Sequence, residues 1–226
     1  MPAYFSLQAV FNRKDIHPAF VRDFYNHLFK CDLKFKSGFL DAQGLSFAEI
    51  VDWNQHKLEN NFRLGMDEHH SNDYKQILFD FCEFSEVRGY WLNNYPSDDE
   101  FTFSIIVPES ELVESYATNP LTTNEEIKKL ETLAISMWDF DAMQSIHASW
   151  ESGFGALSPA QNKGLPIADP FVIVPEEYAK MFPKGIFIQT EISRNGVFLK
   201  EQPPSLQKKL WSAFSHIVRF FKYCFK

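Results

Sequence analysis

Three short runs of aromatic and β-branched residues follow one another in the middle of the chain, and they constrain the fold more than any other feature. They are Lys75 to Phe81, Glu86 to Leu92 and Phe101 to Val107. Turn-forming residues separate the second run from the third, with Asn93-Asn94 followed by Pro96-Ser97-Asp98. The pattern predicts three consecutive strands of an antiparallel meander.

Strand and helix patterns also precede the meander. Tyr4 to Phe11 is predicted as a first strand, and Pro18 as the first turn of a helix with an aromatic face. A loop that contains glycine is predicted over Lys36 to Gly44. Ser46-Phe47-Ala48-Glu49 has the spacing of a capping box, which predicts a helix from there to about Leu58.

The second half of the chain shows comparable signals. Thr123-Asn124-Glu125-Glu126 is a second capping box followed by apolar residues at helical spacing. Asn195-Gly196 lies between two strand patterns, Ile186 to Ile192 and Val197 to Lys200, which predicts a hairpin. Ser205 to Lys226 has apolar residues on one half of a helical wheel and cations on the other, as in an amphipathic helix.

These elements predict an α+β protein, mainly antiparallel sheet with flanking helices and an amphipathic C-terminal helix. Hydrophobic residues make up 45% of the 226 residues, and 24 of them are Phe, so a substantial core can form. The absence of a Pro/Gly/Ser-rich linker favours one domain over residues 1–226.

A weak internal repeat leaves the domain organisation open. Phe103 to Glu109 and Phe171 to Glu176 both run from an apolar strand into Pro-Glu and then into a predicted helical stretch. Either the chain consists of two pseudo-repeated halves, about residues 1–120 and 121–226, or local chemistry produces the match, because Pro followed by an acid suits a helix start.

The charge distribution points towards a basic partner. Net charge is −8; from Gly89 to Ile127 there are eight acidic residues and no Lys or Arg, whereas seven basic residues and one acid follow from Arg194 onwards. This asymmetry favours electrostatic steering and argues against nucleic acid as the main ligand. The N-terminus lacks a signal-peptide pattern and the apolar runs are too short to span a bilayer, so we expect a cytoplasmic protein without membrane insertion.

Candidate catalytic or metal-binding residues are few. His69 and His70 lie among carboxylates but not at HxxxH or HExxH spacing, Asp139 and Asp141 are interpreted as solvated turn residues, and His147 as a core or edge residue. Cys31, Cys82 and Cys224 form no CxxC pair and are interpreted as core residues or free thiols. Neither an enzyme, nor a metal site, nor a cofactor is predicted.

Aromatic and acidic residues occur together in one segment that is predicted to end a strand. Large aromatic side chains supply much of the binding energy at protein interfaces, while charged rims govern approach rate and partner choice. We therefore predict a partner-binding segment here, with Tyr90, Trp91, Tyr95, Asp98, Asp99 and Glu100 as its contact residues.

Several of these segments together resemble the bacterial immunity proteins that protect a cell from its own polymorphic or type VI secreted toxins. The resemblance comprises a Phe-rich N-terminal helix, Glu86 to Trp91, Phe103 to Glu109, Trp138-Asp139-Phe140 and Phe171 to Glu176. It implies a cytoplasmic antitoxin that neutralises a cognate effector toxin, encoded beside it, by protein–protein contact.

Two other classes of function stay open. One is a metal-dependent hydrolytic enzyme that uses His69, His70 and nearby carboxylates. The other is a structural or accessory protein of a phage or secretion apparatus, which is expected to self-assemble. The oligomeric state is not determined by the sequence.

Overall fold

A computed structural model describes residues 2–60, 74–93, 99–112, 125–151, 168, 170–183 and 185–201. These residues form nine strands of a single sheet. The strands are β1 (Tyr4–Asn12), β2 (Lys34–Phe39), β3 (Gln76–Asp80), β4 (Val87–Leu92), β5 (Glu100–Pro108), β6 (Met143–Trp150), β7 (Phe171–Pro175), β8 (Phe187–Ile192) and β9 (Gly196–Glu201). The helices are α1 (Phe20–Lys30), α2 (Phe47–Glu59), α3 (Glu125–Met137) and the short α4 (Glu176–Ala179).

The sheet is antiparallel throughout its described pairs, with strand order β2-β3-β4-β5-β1-β6-β7-β9-β8. The predicted α+β class is therefore confirmed. The predicted meander is confirmed as well, since β3 pairs with β4 and β4 with β5. The hairpin predicted around Asn195-Gly196 forms between β8 and β9.

Strand β1 lies at the centre of the sheet because it pairs with β5 on one side and β6 on the other. Its residues alternate in burial, as period-2 geometry requires. Phe5, Leu7, Ala9 and Phe11 are buried, whereas the residues between them are half-buried or exposed. One face of the sheet is therefore strongly apolar at its centre.

The main core lies between this apolar face and helices α1, α2 and α3. Aromatic rings dominate it: Phe24 lies 5.1 Å from Phe11, 5.3 Å from Trp91 and 5.1 Å from Phe103, measured between ring centroids. The Trp91 indole donates a hydrogen bond to the Tyr25 hydroxyl at 3.1 Å. Burial raises the pKa of Tyr25, which keeps this hydroxyl neutral.

Trp91 is fully buried in this core. The prediction that its side chain contacts a partner is therefore corrected, because a ring enclosed by Phe11, Phe24 and Phe103 has no surface to present. Its alternation with half-buried Tyr90 and Leu92 along β4 places it on the inner face.

The helix predicted from the first capping box begins as expected. Ser46 Oγ accepts a hydrogen bond from the Glu49 amide at 3.3 Å, and the Glu49 carboxylate accepts one from the Ser46 amide at 2.8 Å. Both bonds satisfy amides that the first helical turn leaves unpaired. The first two residues of the second capping box, Thr123 and Asn124, lie outside the described residues.

The loop predicted over Lys36 to Gly44 is partly wrong, because strand β2 and a 3-10 turn (Leu40–Ala42) occupy most of it. The strand is irregular, with its register to β3 shifting between Phe35 and Ser37. A Cβ at Gly38 would lie 2.0 Å from the Ala42 carbonyl oxygen. This glycine therefore serves a close approach of the backbone rather than an open loop.

A second, smaller apolar cluster lies on the opposite face of the sheet. It joins α4 and the residues after it to the outward-facing side chains of β7, β8 and β9. Val172, Val174, Val197 and Leu199 belong to it. This half of the sheet is thus apolar on both faces.

The two strand-Pro-Glu segments meet their neighbours in the same way. The Glu109 amide donates to the Ala3 carbonyl at 2.9 Å, and the Glu176 amide donates to the Asn195 carbonyl at 2.8 Å. In each case the acceptor lies just before a neighbouring strand. The helices that follow are short, Glu109–Glu111 in one and Glu176–Ala179 in the other.

Several predicted features fall outside the described residues. They are His69, His70, Tyr95, Asp98, Cys224 and the amphipathic segment Ser205 to Lys226. Of the other two cysteines, Cys31 is buried and Cys82 exposed, and both are free thiols. Burial, with Asp139 and Asp32 nearby, raises the pKa of Cys31 to about 11. Within the described ranges, no helix has the length and apolar character needed to cross a membrane.

Candidate functional site: an acidic groove at one end of the sheet

A groove of about 760 Å³ opens at the end of the sheet where β1 finishes and β6 begins. One wall consists of the 3-10 turn Arg13–Asp15, the residues after it and one side of α1. The other is the turn from α3 to β6. The groove is lined by Lys14, Asp15, His17, Asp23, Asn26, His27, Lys30, Asp139, Phe140, Asp141, Ala142 and Gln144.

Helix α1 builds the first wall because its two faces differ in polarity. Asp23, Asn26, His27 and Lys30 are spaced three and four residues apart and so share one side of the helix. The core-facing side carries Phe20, Phe24, Tyr25 and Leu28, all fully buried. The helix is held by its aromatic side while its polar side lines the groove.

The second wall is held in place by the β8–β9 hairpin. The Trp138 indole donates to the Ser193 carbonyl at 2.9 Å, and the Ser193 hydroxyl donates to the Asp139 carboxylate. The Arg194 guanidinium donates to the backbone carbonyls of Trp138, Phe140 and Asp141. These carbonyls follow the last turn of α3, where a cation is favourable for the helix dipole. We call this set of contacts the hairpin clasp.

The hairpin turn is shaped for this contact. Arg194 and Asn195 have left-handed backbone conformations, with φ of 51° and 53°. Gly196 faces the Trp138 ring so closely that an added Cβ would lie 2.2 Å from the indole nitrogen. The Asn-Gly pair thus serves both the turn and the packing of the second wall.

Phe140 connects the second wall to the core. Its ring is half-buried and lies 5.2 Å from Phe24, 5.7 Å from Phe20 and 5.6 Å from the His27 ring. His27 itself is hydrogen-bonded through its ring nitrogen to the Ser136 carbonyl at 3.0 Å. Both walls are therefore fixed by contacts that leave the carboxylates between them at the surface.

The groove is acidic. Four aspartates line it against two lysines. His17 Nε2 lies 3.9 Å from the Asp23 carboxylate, and Arg194 Nε lies 3.6 Å from that of Asp141. The Asp141 side chain is fully exposed and that of Asp23 is 52% exposed. Exposed carboxylates retain most of their hydration, so this arrangement suits contact with a cationic surface.

The predicted partner-binding segment adjoins this groove. The Asp99 carbonyl accepts a hydrogen bond from the Arg13 amide at 2.8 Å, and Glu100 pairs with Asn12 at the end of β1. Both acidic side chains are exposed. Asp99 and Glu100 therefore share one end of the sheet with the first wall.

Tyr90 lies elsewhere. It is half-buried on the opposite face of the sheet from Trp91, where its ring stacks on Tyr74 at 5.3 Å. Burial raises the pKa of its hydroxyl. The structure thus separates the six predicted contact residues: Asp99 and Glu100 adjoin the groove, Tyr90 and Trp91 do not, and Tyr95 and Asp98 are outside the described residues.

Most groove residues were not predicted from the sequence. The sequence indicates Asp139 and Asp141 only as turn residues, and it gives no reason to select Asp15, Asp23 or His27. The local signal for the second wall is the acid pair around Phe140, directly after a helix. The first wall has only the polar stripe of α1, which any surface helix shows.

The candidate chemistry elsewhere is limited. His147 lies on β6 with its ring nitrogen 2.9 Å from the Ser145 hydroxyl and does not line the groove. Among the described residues, no three His, Cys, Asp or Glu side chains are grouped so that they could hold a metal ion. Asp139 accepts a hydrogen bond from Ser193 and Asp141 lies 3.6 Å from Arg194, so these two carboxylates adjoin the clasp.

No protein-family model, no curated protein and no solved structure matches the chain.

Proposed function

We propose that this protein is an immunity protein that binds a bacterial effector toxin through the acidic groove and neutralises it by protein–protein contact. The observation that supports the proposal is the meeting of two acidic features at one end of the sheet. Asp99 and Glu100, from the most acidic part of the sequence, adjoin a groove lined by four aspartates.

The shape of the groove favours a protein partner over a small molecule. Small-ligand sites bury most of their ligand among predominantly apolar side chains. Here charged side chains form much of the lining, and Asp141 is fully exposed. A loop or helix of a partner that carries Lys or Arg would fit such an open, charged surface.

The charge of the groove suggests how binding proceeds. Complementary potentials raise the encounter rate and disfavour wrong partners, while buried apolar contacts supply most of the affinity. A toxin with a basic active-site cleft, such as a nuclease, fits this description. In this proposal the protein acts in the cytoplasm, where such a toxin would otherwise harm the producing cell.

Co-expression with the product of the neighbouring toxin gene tests the proposal. We expect the protein to restore growth of cells that express the toxin domain and to co-purify with it. A groove variant, with Asp15, Asp23, Asp139 and Asp141 all changed to Asn, should rescue less well. A matched control changes Asp52 and Asp80 to Asn and Glu83 and Glu125 to Gln, which removes the same charge from exposed sites outside the groove lining.

Other outcomes would contradict the proposal. Full rescue by the groove variant would show that the groove is not the contact surface. If no toxin is bound, light scattering and metal analysis separate the alternatives. Large self-assemblies would favour an accessory protein of a phage or secretion apparatus, and stoichiometric metal would favour a hydrolytic enzyme.

A further inference from the structure

The two outermost strands of the sheet, β2 and β8, differ in how their free edges are protected. An edge strand presents unpaired backbone N–H and C=O groups that can pair with another strand. Proteins commonly block such edges with lysines or with a bulge in the strand. Among the described residues, β2 pairs only with β3 and β8 only with β9, so both strands have one open edge.

Strand β2 has both kinds of protection. Lys34 and Lys36 are exposed along it, and Lys36 Nζ lies 3.1 Å from the Asp80 carboxylate. The register of β2 to β3 shifts between Phe35 and Ser37, which makes the strand irregular. A charged and irregular edge disfavours the addition of a further strand.

Strand β8 has neither kind of protection. All six of its residues pair with β9 without a shift in register, and they include no Lys, Arg or Pro. The Phe187 amide donates to the Pro183 carbonyl at 3.4 Å, so the open stretch of the edge is Ile188–Ile192. Among the described residues, no backbone group outside β9 bonds to this stretch. The edge of β8 is therefore regular, uncapped and able to pair.

The side chains of β8 alternate between the two faces of the sheet. Gln189 and Glu191 lie on the side of the smaller apolar cluster, whereas Ile192 packs against the main core. Ile188 and Thr190 therefore share the face of Ile192. Ile188 is 44% exposed and Thr190 is also exposed. Two β-branched side chains, which favour strand pairing, thus lie open at the edge.

A second copy of β8 fits this edge when a twofold axis passes through Thr190. The axis places Thr190 opposite the partner's Thr190, and Thr–Thr pairs stabilise antiparallel strands. It places Ile188 opposite the partner's Ile192, which covers exposed apolar surface. It also places Gln189 opposite the partner's Glu191, so that an amide faces a carboxylate and the two carboxylates stay apart. Every facing pair is therefore compatible.

Neighbouring positions of the axis are less favourable. The axis has to pass through a residue, because residues directly opposite each other in a sheet point to the same face. An axis through Glu191 places two carboxylates opposite each other, and an axis through Gln189 places Phe187 opposite the partner's Glu191. In the Thr190 register the Gln189 amide can donate to the facing carboxylate, since it uses only one hydrogen for the Phe182 carbonyl at 2.6 Å.

We propose that the protein forms a homodimer in which the β8 strands of two copies pair antiparallel about Thr190 and join their sheets into one. The contact is isologous, so each copy uses the same edge and the assembly closes at two copies. It requires no toxin, and it differs from the larger assembly expected of an accessory protein.

Analytical ultracentrifugation of the full-length chain over a range of concentrations tests this inference. Wild type should sediment as a dimer that dissociates on dilution. Thr190→Lys and Thr190→Glu each place like charges opposite each other, and each should raise the dimer dissociation constant about fivefold or more. The matched controls Ser37→Lys and Ser37→Glu introduce the same charges on the β2 edge and should dimerise as wild type does. Thermal unfolding of each variant reports whether it folds.

Mixing the two Thr190 variants separates strand pairing from a defect in folding. If Thr190 faces its counterpart, the mixture brings Lys opposite Glu, and a heterodimer should form with an affinity close to that of wild type. Wild type that stays monomeric up to its solubility limit would overturn the inference. So would Thr190 variants that dimerise as tightly as wild type, a mixture that dimerises no more tightly than either variant alone, or assemblies larger than a dimer.

Discussion

The aromatic core and the acidic groove share helix α1 and Phe140 but are built on different principles. In the core, the Phe24 ring of α1 lies 5.1 to 5.3 Å from the rings of Phe11, Trp91 and Phe103, and the polar groups of Trp91 and Tyr25 pair with each other. In the groove, carboxylates line both walls and remain exposed. The same helix thus contributes packing on one side and charge on the other.

If the acidic groove binds a partner as proposed, stability and partner binding should be separable in this protein. Burial of large aromatic side chains determines the free energy of unfolding, whereas exposed charges contribute little to it. Substitutions in the core should therefore change stability without a direct effect on charge complementarity, and substitutions in the groove should do the reverse.

Removing the Trp91 ring should have the largest effect on stability. Trp91→Ala leaves a cavity among Phe11, Phe24 and Phe103 and removes the donor to Tyr25. We expect a loss of about 3–5 kcal/mol in the free energy of unfolding, measured by chemical denaturation. Trp91→Phe should lower the free energy of unfolding less than Trp91→Ala does. A Trp91→Ala variant of normal stability that no longer binds a partner would instead support a direct contact role.

The hairpin clasp should contribute an intermediate amount. Arg194→Ala removes the donors to three backbone carbonyls after α3, and we expect a loss of about 1–3 kcal/mol in the free energy of unfolding. Arg194→Lys keeps the charge but loses the planar arrangement of N–H donors, so its free energy of unfolding should lie between those of wild type and Arg194→Ala. Wild-type stability in Arg194→Ala would show that the second wall is held without the hydrogen bonds of Arg194.

Neutralising the groove should have little effect on stability. The variant with Asp15, Asp23, Asp139 and Asp141 changed to Asn is expected to change the free energy of unfolding by no more than about 1 kcal/mol, because surface ion pairs are weak and an asparagine side-chain oxygen can still accept the Ser193 hydrogen bond. Thermal and chemical denaturation measure this. A much larger loss would mean that the carboxylates are structural and would weaken the separation from the core.

The smallest effect is expected from His147, a surface residue whose pKa is lowered by partial desolvation of its ring. A proton then binds more tightly to the unfolded chain than to the folded one. The folded state therefore loses stability as pH falls below the ordinary value of about 6.5. His147→Gln should show a smaller drop in unfolding free energy than wild type on acidification. Identical pH profiles would show that this histidine makes no contribution.

Much of the fold could be predicted because its signals are local. The meander, the capping box at Ser46 and the hairpin at Asn195-Gly196 each depend on residues within a few positions of one another. Strand β2 could not be recognised from the sequence, because its lysines and Gly38 are typical of a loop. Its strand conformation depends on pairing with β3, and Gly38 is required by the close approach of Ala42.

The groove could not be predicted from the sequence, because it is formed by residues that are far apart along the chain. Its walls come from residues 14–30 and 139–144, which only the sheet and Phe140 bring together. Charge counting identified an acidic region near Asp99 but could not show which other carboxylates lie beside it. The aromatic content of that region was misinterpreted at Trp91, because a strand alternates between faces and the inner face belongs to the core.

The most direct test of the proposed function is the rate at which the protein associates with the toxin domain at about 0.1 M and about 1 M salt. We compare wild type, the groove variant and the matched control with the same net charge. If the groove steers binding, the association rates of wild type and the control should be several-fold higher at low salt than at high salt. The groove variant should associate more slowly than both at low salt, and its rate should depend little on salt. Equal rates and equal salt dependence for all three proteins would contradict the assignment of the acidic groove as the toxin-binding surface.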